Sequence, residues 1–270
     1  MPDSPIAESR FLPHLTSEQV AHLPDKDRCV VVLPLASIEQ HGPHLPLFTD
    51  SIIAHEVLRR AFLLLPEHVH VWHLPLLAYG KSNEHARFAG TMTLTSETLI
   101  RVLKDIGHSV ARSGFRRFAI VNAHGGNTEI VDFVIRDIRE QTGLLVFALH
   151  LYLRVAAPRQ GLSEAEQLYG IHAGDVETSI LLHCRPELVR RDRAPASLPH
   201  QLQTGEHPPF MGPLTFAWLT DDISTNGVLG DATTADAARG EQYLTDAAVQ
   251  TANLLRDISV FEFAAPAAPD

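Results

Sequence analysis

Short, wholly apolar runs alternate along this chain with longer stretches whose apolar positions recur at helical spacing. Cys29 to Leu35 contains no polar residue beyond its first, the pattern of a strand buried on both faces of a sheet. From Asp50 to Leu65 the period changes: Ile53, Val57 and the pair Ala61/Phe62 recur near helical spacing, with Asp50 or Ser51 placed to cap the start. Val69 to Leu77 reads as a second strand. Ser96 to Ser113 carries Leu99, Leu103, Ile106 and Val110 as one helical stripe, which Gly114 closes. Phe118 to Asn122 is the next buried strand. Thr128 to Gln141 is a helix with Ile130, Val134 and Ile138 on one face, and past Gly143 comes a strand at Leu144 to His150. Strands joined by helices in this order predict an α/β fold around a mostly parallel sheet.

The rhythm is lost from Arg190 to Thr225, a Pro-rich stretch longer than an ordinary connection and expected to be a functional loop or an assembly arm. Ala235 to Ile258 reads as a terminal helix, and residues 263–270 as a disordered tail. There is no internal repeat and no sharp change of composition, so one domain over residues 1–270 is expected.

Composition narrows the function. With 270 residues and 45% hydrophobic content the chain can bury a substantial core. It has no secretory-type N-terminus and no membrane-length apolar run, so a cytoplasmic protein is expected. Cys29 and Cys184 lie in apolar surroundings without paired spacing and read as buried thiols in a reducing compartment. A net charge of -10 argues against nucleic acid as a partner. The short basic pair Arg116-Arg117 reads as solvated residues beside a strand. The unusual figure is 16 histidines, which matters only if they gather with carboxylates.

They do, at strand ends. Directly after the first strand comes Ser37-Ile38-Glu39-Gln40-His41-Gly42-Pro43-His44, with Asp50 at the mouth of the following helix. In extended chain, positions i and i+2 face one side, so Glu39 and His41 aim at a single point to which the Gly42-Pro43 turn returns Asp50. Taken singly these are ordinary loop and capping residues. Together, where open α/β sheets bind ligands, they make a candidate metal site. Asn122-Ala123-His124-Gly125-Gly126-Asn127 repeats the placement after another strand, its double glycine either an ordinary turn or a close approach to a ligand. His172-Ala173-Gly174-Asp175-Val176-Glu177-Thr178-Ser179 opens a further apolar helix, where capping and dipole placement account for Ser179 better than for His172 and Glu177. The polar loop Tyr79 to His85 lines a substrate pocket or merely crosses solvent, and position alone does not choose.

These three motifs, in this order, closely resemble those of the creatininase (creatinine amidohydrolase) family, from about residue 28 through the Gly227-Val228-Leu229-Gly230-Asp231 segment and beyond. The resemblance implies a three-layer α/β/α domain, two divalent metal ions per subunit and a homo-oligomer, often a hexamer. Zinc is the first expectation, with manganese or iron as alternatives. By motif match Glu39 and His124 hold one ion, His41 the other, and Asp50 bridges them. Creatininase proper draws a further carboxylate from the position of Gly126, so here that role is assigned to Glu177. Its creatinine-enclosing aromatics are also missing: the matching positions hold Gly125 and Leu168. Creatinine is therefore not the expected substrate. Related branches act on formamides, on the mycofactocin precursor and on cyclic sugar ketones.

The expectation is a hydrolase that cleaves the C–N bond of a small amide, cyclic amide or formamide with a metal-activated water. His172 and Glu177 are the catalytic candidates, and Ser82, Glu84, His85, Gly125 and Gly126 the substrate-binding ones. Peptide cleavage and C–C cleavage of a cyclic ketone are alternatives. A non-catalytic metal protein is the rival from another class, but a structural site is usually closed by four ligands rich in Cys, and this set has none.

Overall fold

A computed structural model describes residues 6–151, 161–198 and 216–264. At its centre is a parallel sheet of four strands in the order β2-β1-β3-β4: β1 (Val30–Leu35), β2 (Val71–His73), β3 (Arg117–Asn122) and β4 (Leu145–His150). Strand parity assigns each face. Val30 and Val32 of β1, with Ala119 and Val121 of β3, pack against one helical layer, while Val31, Leu33, Leu35, Phe118 and Ile120 pack against the other. The sheet is therefore buried on both sides, which is why its strands read as unbroken apolar runs.

Helices α3 (Ser96–Arg112) and α4 (Thr128–Thr142) cover the second face with Leu99, Leu103, Val110, Ile130, Val134 and Ile138. The first face is covered by α2 (Thr49–Leu64), α6 (Asp175–Cys184) and α8 (Ala237–Val260). Helix α1 (Ser17–Ala21) precedes β1, and α5 (Glu164–Tyr169) precedes α6. Gly240 lets α8 lie directly on α6: a Cβ there would stand 2.0 Å from the carbonyl oxygen of Ser179. The three-layer α/β/α arrangement agrees with the expected fold.

Several boundaries differ from the sequence reading. The second strand is shorter than Val69 to Leu77, because beyond His73 only single contacts join it to β1, among them Leu74 N to Val32 O at 2.8 Å and Leu77 N to Pro34 O at 2.9 Å. Helix α2 begins before Asp50, so Asp50 lies inside the first turn and caps nothing. The stretch Arg190 to Thr225 contains β5 (Ala196–Ser197), which pairs antiparallel with β6 (Gly230–Asp231), and α7 (Thr220–Ile223). Residues 199–215 and 265–270, which hold the middle of that stretch and most of the tail, lie outside the described residues. Cys29 is buried as expected, whereas Cys184 is only half-buried. No helix among the described residues is long and apolar enough to cross a membrane.

Arg117 is not solvated: it is 2% exposed. Its guanidinium donates to Ile258 O and Phe261 O, each at 2.9 Å, to Glu262 Oε1 at 2.7 Å and to Asp27 O, tying the end of α8 to the base of β3. Removing it takes a donor from three carbonyls, of which Ile258 O keeps Phe261 N at 3.3 Å. Arg117→Ala is expected to cost about 3 kcal/mol, a fall of roughly 5–10 °C in thermal midpoint by calorimetry. An unchanged midpoint would contradict the clamp.

Candidate metal centre

Because all the strands are parallel, their C-terminal ends share one edge of the sheet. The chain runs from β1 to β2 on one side and then crosses to β3 on the other, so the loops after β1 and β3 part at a topological switch point, where α/β sheets bind ligands. Glu39 and His41 leave the end of β1 one residue apart, and both are buried. Asp50 enters from the first turn of α2, a favourable end for a carboxylate. His124 follows β3, its backbone held at both ends by Asn122, which accepts from His124 N at 3.2 Å and donates to His124 O at 2.8 Å. Asn127 joins the ends of β1 and β3 to the loop at Lys81: it donates to Ala36 O and Asn122 Oδ1, each at 3.1 Å, and accepts from Lys81 N at 2.8 Å. Glu177 comes from the first turn of α6 and accepts from Ala173 N at 2.6 Å. Ala173 is buried at φ 54, a left-handed conformation that costs a non-glycine residue on the order of 1–2 kcal/mol. The strain turns its N–H onto Glu177.

The five side chains converge. His124 Nδ1 stands 3.2 Å from both Glu39 Oε2 and Asp50 Oδ2. His41 Nε2 stands 3.3 Å from Asp50 Oδ1 and 3.9 Å from both Glu39 Oε1 and Glu177 Oε2. Asp50 thus shows one oxygen to each histidine. Ligand atoms bound at about 2.0–2.1 Å around a tetrahedral ion lie roughly 3.3 Å apart, so these spacings suit metal coordination. Two further observations fit a metal. The backbone carbonyl of Glu39 engages His41 Nδ1 at 3.1 Å, while buried His41 Nε2 has no hydrogen-bond partner. The far nitrogen of His124 meets Lys81 O at 2.9 Å, the outer hydrogen bond usual for a metal-binding histidine. Groups of donor atoms within 4.8 Å of one another also include Glu39 with Glu84 and His124, His41 with His172 and Glu177, and Glu39 with His85 and His172.

Among the described residues, the ion pairs to Glu39, Asp50 and Glu177 all come from histidines. Burial works against the His41 cation, but Asp50, Glu177 and Glu39 outweigh it and raise the ring to about 9. His124 is held well above the usual histidine range in the same way, burial being overcome by Glu39, Asp50 and Glu84. Glu177 is pushed up to about 7 by burial, against the pull of His41. His172 moves the other way: burial, with His85 and His41 nearby, holds it well below the usual range and therefore neutral.

The substrate-binding candidates divide. Ser82 is fully buried and gives its hydroxyl to Glu39 Oε2. Glu84 Oε1 lies 3.4 Å from His124 Nε2, and His85 Nε2 lies 3.6 Å from Glu39 Oε1. Gly125 faces open space. At Gly126 a Cβ would stand 2.3 Å from Glu84 Oε1 and 2.5 Å from Lys81 O, so that position has no room for a carboxylate side chain. The loop from Tyr79 is mixed, with Tyr79 exposed while Ser82 and His85 are buried against the centre. His44, beside the motif, turns away to Thr178 Oγ1 at 2.9 Å. The sequence reading missed Ser37, whose hydroxyl donates to Asp50 Oδ2, and the side chain of Gln40, which contacts both His85 and His172. Their only signal was their place beside recognised ligand-type residues.

A family model described as Creatininase: Creatinine amidohydrolase matches residues 13–255. The chain belongs to the creatininase family. It is 39% identical over 219 residues, 78% of each chain, to the mycofactocin precursor peptide peptidase of Mycobacterium tuberculosis (strain CDC 1551 / Oshkosh). A creatinine amidohydrolase-like protein from Bacteroides fragilis NCTC 9343 shares the fold with a TM-score of 0.78 at 24% identity, over 96% of this chain and 100% of that one. A manganese creatininase matches with a TM-score of 0.70 at 27% identity, over 92% of this chain and 98% of that one, and a creatininase described as Zn-Zn type is also similar. Membership makes this chain a metal-dependent amidohydrolase of the creatininase family.

In the metal-free protein at pH 7, His41 and His124 carry protons that a metal must displace, and Glu177, lifted by burial to about 7, shares in that proton load. Zinc titration by calorimetry, in buffers of different ionisation enthalpy, is expected to release two to three protons per chain, roughly one from each histidine and part of one from Glu177. Affinity should weaken as pH falls below about 9, since these raised groups then hold their protons more firmly. Zinc binding without proton release would contradict the assignment.

Proposed function

We propose that this creatininase-family hydrolase cleaves an amide C–N bond in a peptide, with Glu39, Asp50 and His124 holding one divalent ion and His41, Asp50 and Glu177 a second. The observation that carries the reading is the Asp50 carboxylate, one oxygen 3.3 Å from His41 Nε2 and the other 3.2 Å from His124 Nδ1. Zinc suits the mixed nitrogen and oxygen donors, as do manganese and iron. Ions so held supply the positive charge that acidifies a water and polarises a carbonyl.

The chain's own residues do the rest. Ser37 and Ser82 orient Asp50 and Glu39 through their hydroxyls. His172, neutral and with Nδ1 3.7 Å from Glu39 Oε1, faces the centre. It takes a proton at Nδ1 from the water that adds to the carbonyl carbon and delivers it to the leaving nitrogen as the C–N bond breaks. The products are a carboxylic acid and an amine.

Two observations favour a peptide over a small cyclic amide. One is the 39% identity to a peptide peptidase. The other is an apolar rim: Leu47 and Met92 are 39% and 54% exposed, yet their backbones bond directly to the segment that bears Glu39, Leu47 O accepting from Glu39 N at 3.0 Å and Met92 N donating to Ile38 O at 2.8 Å. A peptide's apolar side chain would find a surface there. A homo-oligomer, a hexamer by family resemblance, belongs to the same reading.

The test is an ion-loaded panel of short peptides, cyclic amides, formamides and cyclic sugar ketones. Peptide cleavage that a chelator stops and zinc or manganese restores is expected; cleavage of a ketone or formamide alone would replace the substrate class, and turnover of none would overturn the reading. His172→Ala is expected to keep its ions by mass spectrometry while kcat falls roughly 100-fold or more. Near-normal turnover would remove His172 from the chemistry.

A further inference from the structure

The side-chain amide of Gln40 occupies a place shaped for it. Its Oε1 accepts from Gly42 N and its Nε2 donates to Gly227 O, each at 2.9 Å. A donor at one end and a carbonyl at the other fix which atom is nitrogen. Gly42 and Gly227 both adopt the left-handed conformation, φ 67 and φ 85, and a Cβ on Gly227 would stand 1.9 Å from Gln40 Oε1. These glycines frame the amide.

One amide hydrogen goes to Gly227, and the other points at His85 Nδ1, 2.9 Å away. Thr220 Oγ1 also meets that nitrogen, at 2.7 Å. Nδ1 of His85 is therefore an acceptor, and the ring's hydrogen sits on Nε2, 3.6 Å from Glu39 Oε1. His172 Nε2 lies 2.8 Å from the backbone carbonyl of Gln40 and 3.1 Å from its side-chain amide nitrogen; with the two amide hydrogens directed to Gly227 O and His85 Nδ1, the nearer carbonyl, which can only accept, places the hydrogen of that ring also on Nε2. His172 is left with a bare Nδ1, 3.7 Å from the same Glu39 oxygen. The two rings stack at 4.2 Å and 28°. They present opposite faces to one spot: an N–H from His85 and a lone pair from His172.

We propose that Gln40 is a positioning residue that sets both hydrogen positions, and that His85 donates its Nε2 hydrogen to the carbonyl oxygen of the substrate. As water adds, that oxygen becomes anionic, and a preplaced donor stabilises it. His172 handles the travelling proton, so the stacked pair divides donor and acceptor work between two chemically identical rings. The same hydrogen withdraws His85 from metal binding, and Glu39, His85 and His172 do not hold an ion together. The donor role rests on the amide-hydrolase reading; the hydrogen positions do not.

The experiment uses the zinc-loaded full chain with 15N-labelled histidine, in which long-range proton–nitrogen spectra show which ring nitrogen bears hydrogen. The His85 signals are those lost in His85→Phe, a variant that keeps the stack. In the parent, His85 should carry hydrogen on Nε2 alone, and in Gln40→Met, near in size but without donors or acceptors, it should become mixed or move to Nδ1. On the peptide that the parent cleaves, His85→Phe should lower kcat roughly 100-fold with little change in KM, Gln40→Met roughly tenfold, and the double variant no further than His85→Phe. Zinc content should stay at the parent level throughout. Hydrogen on Nδ1 in the parent, or the same His85 spectrum in Gln40→Met, would overturn the role of Gln40. A kcat for His85→Phe within about twofold of the parent would overturn the donor. A parent that cleaves no amide defeats the hydrolase reading and the donor with it, while the ring spectra still decide what Gln40 does.

Discussion

Glu39, Asp50 and Glu177 bring three carboxylates into a buried space, and the cations paired with them there are histidines. Two like charges about 4 Å apart repel by roughly 4 kcal/mol at an effective dielectric near 20. Protons answer that repulsion in the metal-free protein: against burial, the carboxylates draw His41 and His124 far above their usual range, while burial, with Asp50 and Glu39 beside it, lifts Glu177 to about 7. Divalent ions answer it better, with more charge in less space. The Nε2 of His41 is the same fact seen from the nitrogen side: buried, without a hydrogen-bond partner and faced by carboxylates, it meets them favourably only with something positive between, a proton or a metal ion.

The rest of the molecule holds this cluster together against its own repulsion. A parallel sheet sends every strand end to one edge, and the switch between β1 and β3 opens the gap that the cluster fills. Asn127 ties the ends of β1 and β3 to the Lys81 loop, and Gly240 seats α8 against the helix that carries Glu177. Beside the cluster the strained residue is Ala173, where a turned N–H holds the carboxylate of Glu177. Below the sheet, Arg117 closes the far end of α8. Fold and site thus meet in a few polar side chains, each bonded to backbone from distant parts of the chain.

Those side chains mark how far the sequence could be read. Its periodicity set out parallel strands joined by helices because β1 and β3 are buried on both faces, while the three layers were implied by the family resemblance; Glu39, His41, Asp50 and His124 were visible because strand-end motifs place ligand-type residues together, and Glu177 entered through the resemblance. Gln40 was not, since its partners lie 45, 132 and 187 residues away and nothing local marks an amide that reaches them. Arg117 looked solvated for a similar reason: its acceptors include a carbonyl 141 residues further on. The place of Asp50 inside a helix turn, and the crowding at Gly126, likewise depend on neighbours that only the folded chain supplies. Family membership adds the chemistry of a metal-dependent amidohydrolase, and the substrate rests with the loops around the centre.

The proposed centre puts Asp50 between two metal ions. The most direct measurement is anomalous diffraction from crystals grown with manganese or zinc. Two peaks per chain are expected, one bounded by Glu39, Asp50 and His124 and the other by His41, Asp50 and Glu177, with an oxygen of Asp50 bound to each. A single peak, or one placed among Glu39, His85 and His172 instead, would contradict it.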